Sequence, residues 1–318
     1  MPNESLWRAF MKRMFKFVFA AALLTSTVAC SKPSLDATVT DIDARIEATA
    51  TGDFNAAVAE GDAHWENRAS EDETRAAIEA WQRAITYETE GDRREALFPV
   101  LTKITAAQYW LSHGHLFFIS RRSERETAQK EVYQQCMETG RLALAVHNQE
   151  WADAMNEGVS IEEAVKTLNV DDVAPAYWYA TCAGKWASIE GIAALLGYKD
   201  QLFAILTRIA ELNNDFYYNA ADRYFGVVYT KLPFSNPDLQ RSRSHFARAI
   251  ENHPGYLETR VLFVEEHLTK TGEADVARAQ LEYVINADPN IDPNVGPENL
   301  RAQRHARALL NQFEELFY

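Results

Sequence analysis

The chain has 318 residues, 47% hydrophobic and 25% charged, which is the composition of a folded globular protein rather than a disordered one. A formal charge of −14, with no basic stripe to offset it, argues against binding to nucleic acid. Only 13 Gly and 10 Pro are present, too few turn residues for a many-stranded β protein of this length, so a helical fold is expected.

At the amino end, Lys12, Arg13 and Lys16 precede an apolar run from Phe17 to Ala29, broken only by Thr25, Ser26 and Thr27. The run has the length of a signal-peptide core and falls short of the ~20 residues of a membrane span. It ends in Thr27-Val28-Ala29-Cys30, which resembles the bacterial lipobox, with Thr27 departing from the usual Leu. The expected organisation is a signal peptide over 1–29, a lipidated tether over 30–36 attached through Cys30, and one helical domain over 37–318. Cleavage near Ala29 to a soluble periplasmic protein and an uncleaved anchor are the alternatives, and Met11 or Met14 is an alternative start. Ser31 after the cysteine favours the outer membrane over the inner by the bacterial sorting rule. Cys136 and Cys182 then remain. Both lie in strong helical patterns, and the reading favoured is two buried free thiols over a bridge in an oxidising compartment.

Internal periodicity points to the fold. A small or apolar residue, a second four later, a third after three more and a helix-stop five further on recur along the chain. The sets are Ala77, Trp81, Ala84 with Thr89; Leu202, Leu206, Ile209 with Asn214; Ser242, Phe246, Ala249 with Pro254; and Ala277, Leu281, Val284 with Pro289. Offsets of four and seven place three side chains on one helix stripe, facing a hairpin partner. The last three sets are 40 and 35 residues apart, near the ~34 of a tetratricopeptide unit. Phe225-Gly226 with Tyr229 reads as the partner helix before Pro254, joined to it through a long turn at Phe234-Ser235-Asn236-Pro237.

Elsewhere, Gln108 to Ile119 and Lys130 to His147 read as helical runs. Ser160-Ile161-Glu162-Glu163 reads as a capping box opening a short helix. Asp171-Asp172 and Pro175 open a helix over Tyr177 to Leu196. The stretch Asn286 to Pro297 is a turn cluster before a last helix to Phe317. The expectation is an all-α fold of tetratricopeptide-like helical hairpins packed in a compact right-handed array.

Catalytic patterns are missing from the sequence. His113 and His115 stand about 200° apart on a helix and cannot chelate one ion. No His-Glu-x-x-His, phosphate loop or Gly-x-Ser-x-Gly occurs, and the adjacent pairs Glu265-Glu266 and Glu314-Glu315 read as solvated charges. No enzymatic activity, metal or cofactor is therefore expected. The aromatics are denser: Tyr109-Trp110, Tyr177-Trp178-Tyr179 with Trp186, and Phe216-Tyr217-Tyr218. Trp178, Cys182, Trp186 and Ile189 share one stripe, while Tyr177, Thr181 and Lys185 share its neighbour. A bulky core accounts for such patches; an amphipathic channel with Tyr hydroxyls and Lys185 as polar points accounts for them too.

Four segments carry a family resemblance. Ala176-Tyr177-Trp178-Tyr179 with Gly184–Trp186 resembles the tyrosine-tryptophan signature of the T-components of TRAP transporters. Val132 to Leu144, Tyr224-Phe225-Gly226 to Ala249, and Pro297 to Phe317 are similar to further parts of that family, so the likeness spans about residues 105–318. The resemblance implies a lipid-anchored, periplasm-facing accessory of a solute importer with a pore through its body. It implies a periplasmic solute-binding protein, the P-component, as partner, and a homotrimer-like assembly that passes on an apolar or amphipathic ligand. Tyr177, Trp178, Tyr179 and Trp186 would line the pore, and the patch argument adds Trp110. The rival reading is a tetratricopeptide scaffold lipoprotein for outer-membrane protein or pilus assembly, with the aromatics as core.

Overall fold

Side chains that accept backbone N–H groups set many of the helix starts. Asp53, Asp92, Asn148 and Asp238 each accept from the amide three residues on, at 2.9–3.1 Å. The computed structural model describes Leu35 and residues 37–231 and 237–318. The expected signal peptide over 1–29, Cys30 and most of the 234–237 turn lie outside the described residues. Within Leu35–Tyr318, which form one compact unit, the described secondary structure is helical throughout.

The main helices are α1 (Phe54–Trp65), α2 (Glu71–Ala84), α3 (Arg93–Trp110), α4 (Arg122–His147), α5 (Gln149–Asn156), α6 (Val173–Glu190), α7 (Ile192–Asn213), α8 (Phe216–Lys231), α9 (Leu239–Asn252), α10 (Glu258–Leu262), α11 (Ala274–Asn286) and α12 (Gly296–Asn311). Chain neighbours pack as pairs: α1 with α2, α3 with α4, α6 with α7, α8 with α9 and α11 with α12. A further broad contact joins α4 to α6.

All four periodic stripes face inward. Ala77, Trp81 and Ala84 on α2, Leu202, Leu206 and Ile209 on α7, Ser242, Phe246 and Ala249 on α9, and Ala277, Leu281 and Val284 on α11 are all buried. Small residues set the closest approaches. A Cβ on Gly226 of α8 would stand 2.8 Å from the Phe246 ring, and one on Gly140 of α4 would stand 3.0 Å from Tyr179. The core runs in three sectors, around Trp81 and Ile104, around Met137, Tyr179 and Leu206, and around Phe246, Leu281 and Leu309.

Four local expectations are corrected. First, Cys136 and Cys182 form a disulfide, with Cα atoms 6.2 Å apart, that staples α4 to α6. The small residues on this helix pair allow the approach a bridge needs. Second, Ser160 makes no side-chain cap; the capping box sits instead at Asn169, with Asp172 returning its carboxylate to the Asn169 amide at 2.9 Å. Third, the helix from Val173 ends at Glu190, because Gly191 takes φ 116° and separates α6 from α7. Fourth, the run from Gln108 changes pitch, with a π-helical turn at Leu111–His115 and a 3₁₀ turn at Leu116–Phe118.

Long-range ionic contacts tie the two ends of the unit together. Arg68, after α1, meets Glu298 of α12 through two hydrogen bonds at 3.0 and 3.1 Å. Arg301 of α12 donates to the His113 carbonyl at 3.1 Å and, through one nitrogen, to both Glu258 oxygens at 2.6 Å. Both partners of the second pair are buried, so breaking it would strand a charge.

Candidate functional site

A chamber of about 230 Å³ opens between α6, α7, α8 and α10. One helical stripe of α6 supplies Tyr177, Thr181, Gly184, Lys185 and Ser188. From α7 come Leu195, Lys199 and Leu202 at the same spacing, and from α8 Ala220, Arg223, Tyr224, Val227, Val228 and Lys231. Glu258 and Leu262 of α10 face it, as do Tyr256, Glu266, Tyr109 and His113. The wall is aromatic and aliphatic, with six charged side chains: Lys185, Lys199, Arg223, Lys231, Glu258 and Glu266.

Backbone geometry at the start of α8 shapes one side. Tyr217, Tyr218 and Asn219 lie consecutively in the left-handed region, at φ 42°, 61° and 55°. Each such residue costs about 1–2 kcal/mol, so surrounding contacts must hold the turn. Arg223, almost fully buried, donates to the Tyr217 carbonyl at 2.8 Å and to the Tyr218 carbonyl. Its guanidinium lies over the Tyr256 ring at 4.4 Å and near Tyr217 at 5.5 Å. Asn219 donates to the Asn214 carbonyl at 2.8 Å. The turn thereby carries the Tyr217 ring against Tyr177, Trp178 and Tyr256, at centroid distances of 5.9, 4.8 and 5.6 Å.

Burial governs the electrostatics. It pushes the Tyr109, Tyr217, Tyr224 and Tyr256 hydroxyls well above the usual phenol range, which keeps them neutral donors. His113 is driven well below its ordinary value by burial, then by Arg301 and Lys185, and so is neutral. Burial works against ionisation of Glu258, yet Arg301 and His113 outweigh it and hold the carboxyl far below the usual range. Lys231 pairs with Glu266 at 3.0 Å. Glu265 and Glu266, expected as solvated charges, are thus half-buried, with Glu265 3.5 Å from His305; Glu314 does face solvent.

Of the aromatic residues singled out by sequence, Tyr177 lines the chamber. Trp178 stands behind it, buried against Tyr109, Tyr177 and Tyr217. Tyr179 points the other way, fully buried, and its hydroxyl donates to the Leu35 carbonyl at 2.9 Å. Trp186 stacks on Tyr198 at 6.0 Å, and Trp110 donates its ring N–H to the Arg68 carbonyl at 2.8 Å. The neighbouring stripe of Tyr177, Thr181 and Lys185 is the one that faces the space. Arg223, Tyr224 and Glu258 were not anticipated: each sits in an ordinary helical pattern, and nothing local marks it. Among the described residues no group of three or more His, Cys, Asp or Glu side chains is arranged to hold a metal, and no helix is long and apolar enough to cross a membrane.

Fold and site together define an all-helical protein whose paired helices enclose an aromatic, partly cationic chamber. Residues 115–317, most of the chain, match the family model of the TRAP transporter T-component, and the chain belongs to that family. The match takes in α4 to α12 and all of the chamber wall except Tyr109 and His113. No curated protein matches the chain.

Proposed function

We propose that this protein is the periplasm-facing accessory of a TRAP-type solute importer, tethered by lipid at Cys30, which docks a periplasmic solute-binding P-component and passes a ligand through the chamber. The observation that carries this reading is the chamber itself, which lies almost wholly in the family-matched segment and combines aromatic and aliphatic walls with charged points. Such a lining suits a small apolar or amphipathic molecule. The helix pairs serve as tetratricopeptide-like hairpins, a trimer is the expected assembly, and the outer membrane the expected location. The role is one of binding and transfer, without catalysis.

The test is native mass spectrometry of the detergent-extracted protein with its co-purifying partners. A lipidated chain in complex with a solute-binding protein, carrying a small molecule, is the expected result. A monomer with no partner under mild conditions, or one that captures barrel or pilus assembly proteins instead, would overturn it in favour of a scaffold. A second check uses the chamber wall: Tyr177→Ala, in a variant that keeps its helical circular dichroism, should lower ligand carriage.

A further inference from the structure

A second cavity, of about 390 Å³, lies between the helical turn Ile42–Arg45, α2, α3 and α4, and shares no lining residue with the chamber. Its wall is made of helix stripes spaced by three and four: Leu101, Ile104 and Gln108 on α3, and Gln135, Glu138, Thr139 and Leu142 on α4. The buried Leu101, Ile104 and Leu142 give it an apolar floor. Arg45, Gln82, Gln135 and Glu138 stand exposed at its mouth.

Gln108 breaks the pattern of that floor. It is 3% exposed, it continues a stripe of two aliphatic residues, and no donor reaches its Oε1 among the described residues. A carbonyl oxygen buried without a donor is costly, and Leu at this position would complete the apolar stripe. The mouth is unmatched as well. Burial and then Arg141 lower the pKa of Arg45, and the attraction of Glu138 opposes them, yet no ion pair joins Arg45 to Glu138 among the described residues. Glu138 accepts a long bond from Gln134, at 3.4 Å. A cation and an anion thus stand apart at the rim of one cavity, above a buried acceptor that lacks a donor.

We propose that this cavity binds a free α-amino acid whose short side chain ends in an N–H or O–H donor, as that of glutamine does. The carboxylate meets Arg45, the ammonium meets Glu138, the stem lies on Leu101, Ile104 and Leu142, and the terminal donor reaches Gln108 Oε1. An α-amino acid carries both charges a short, fixed distance apart, so one molecule answers both groups at the rim with charge-assisted bonds. A space of about 390 Å³ falls within the ~300–1,000 Å³ of small-molecule sites. Arg45, Gln82 and all of the α3 lining precede residue 115, where the family match begins, and the site is independent of the function proposed for the chamber.

The experiment titrates L-glutamine, L-leucine and butyramide calorimetrically into the full chain in zwitterionic nanodiscs, with empty discs subtracted. Leucine keeps the two charges and the stem but has no terminal donor, so glutamine should bind at least about tenfold tighter. Butyramide, with the donor and neither charge, should bind more weakly than glutamine by at least the same factor. Gln108→Leu should bring glutamine down to the affinity of leucine, and Arg45→Gln should weaken both amino acids about tenfold. Equal affinity for glutamine and leucine, butyramide binding as tightly as glutamine, or an unaltered preference in Gln108→Leu would overturn the assignment. Binding of none of the three would overturn it too, and would leave water as the partner of Gln108. Should Gln108→Leu fail to fold, Arg45→Gln on the exposed rim decides, and unaltered glutamine binding there overturns the site. None of these outcomes bears on the chamber.

Discussion

The α8–α9–α11 sector and the wall of α6 are built from the same device, a helix stripe of residues four and three apart, used to opposite ends. In the first, Ser242, Phe246, Ala249, Ala277, Leu281 and Val284 are all at 0% exposure, and Phe246 rests on the bare backbone of Gly226. In the second, Tyr177, Thr181 and Lys185 face a space, and α8 across it begins with three left-handed residues. The contrast teaches that the periodic stripe specifies packing, whereas the site arises where a stripe keeps the spacing and carries residues too polar for a core.

The largest effect expected from breaking that contrast falls on the packing side. Phe246→Ala removes a fully buried ring held between Gly226 and Phe263, and should cost about 3–5 kcal/mol in urea unfolding. A loss below about 1 kcal/mol would mean that the sector relaxes around the gap and is not tightly packed. Replacing both Cys136 and Cys182 by Ala comes next. Their bridge closes a segment 46 residues long, so its removal should cost about 3 kcal/mol, chiefly by freeing the unfolded chain. The same loss should appear when urea unfolding is followed to equilibrium in reductant, which reaches the buried bridge once the chain opens, and equal stability with and without reductant would contradict the bridge.

A smaller effect separates the sectors by pH. His267 is buried, its Nδ1 lies 2.9 Å from the Ser242 hydroxyl, and burial followed by Arg243 lowers its pKa to about 4. The folded state therefore refuses a proton that the unfolded state takes up below about pH 6.5. Stability is full above that value and falls with pH between about 6.5 and 4, by about 2 kcal/mol from this residue. Urea midpoints at pH 7 and 4.5 check it: the drop should shrink in His267→Gln, and an equal drop in both proteins would refute the assignment.

Much of the fold was legible because helix packing leaves a regular trace. The four stripes were readable from spacing alone, and all of their members are buried. The exceptions were legible only in part. Gly191 could be seen as a glycine, but its φ of 116° follows from how α6 and α7 meet, which no local pattern encodes. The disulfide needed the distance between two helices 46 residues apart in sequence. At the site, the aromatic patches were visible, yet which face of α6 is core and which is wall depends on α7, α8 and α10. Trp178 and Tyr177 are chain neighbours, and only the latter reaches the chamber. Arg223 is further from legibility, since its role comes from carbonyls turned outward by the left-handed residues before it.

The smallest predicted effect is the one that bears most directly on the comparison. A side chain that belongs to the packing should destabilise the protein when shortened or neutralised; one kept for a ligand need not. Lys185 makes no hydrogen bond or ion pair among the described residues and is half-buried in the chamber wall, with Glu258, Glu265 and Glu266 attracting it from a distance. Lys185→Gln therefore removes a charge without stranding a bonded partner. Its expected effect on stability is between zero and a gain of about 1 kcal/mol, a rise of at most a few degrees in Tm. Thermal unfolding of the unliganded protein measures this. A clear loss, above about 1 kcal/mol, would show that Lys185 braces the fold through a contact the geometry does not reveal, and would place the Tyr177 stripe on the packing side of the contrast. A neutral or positive change would place Lys185 with the chamber wall and not with the packing.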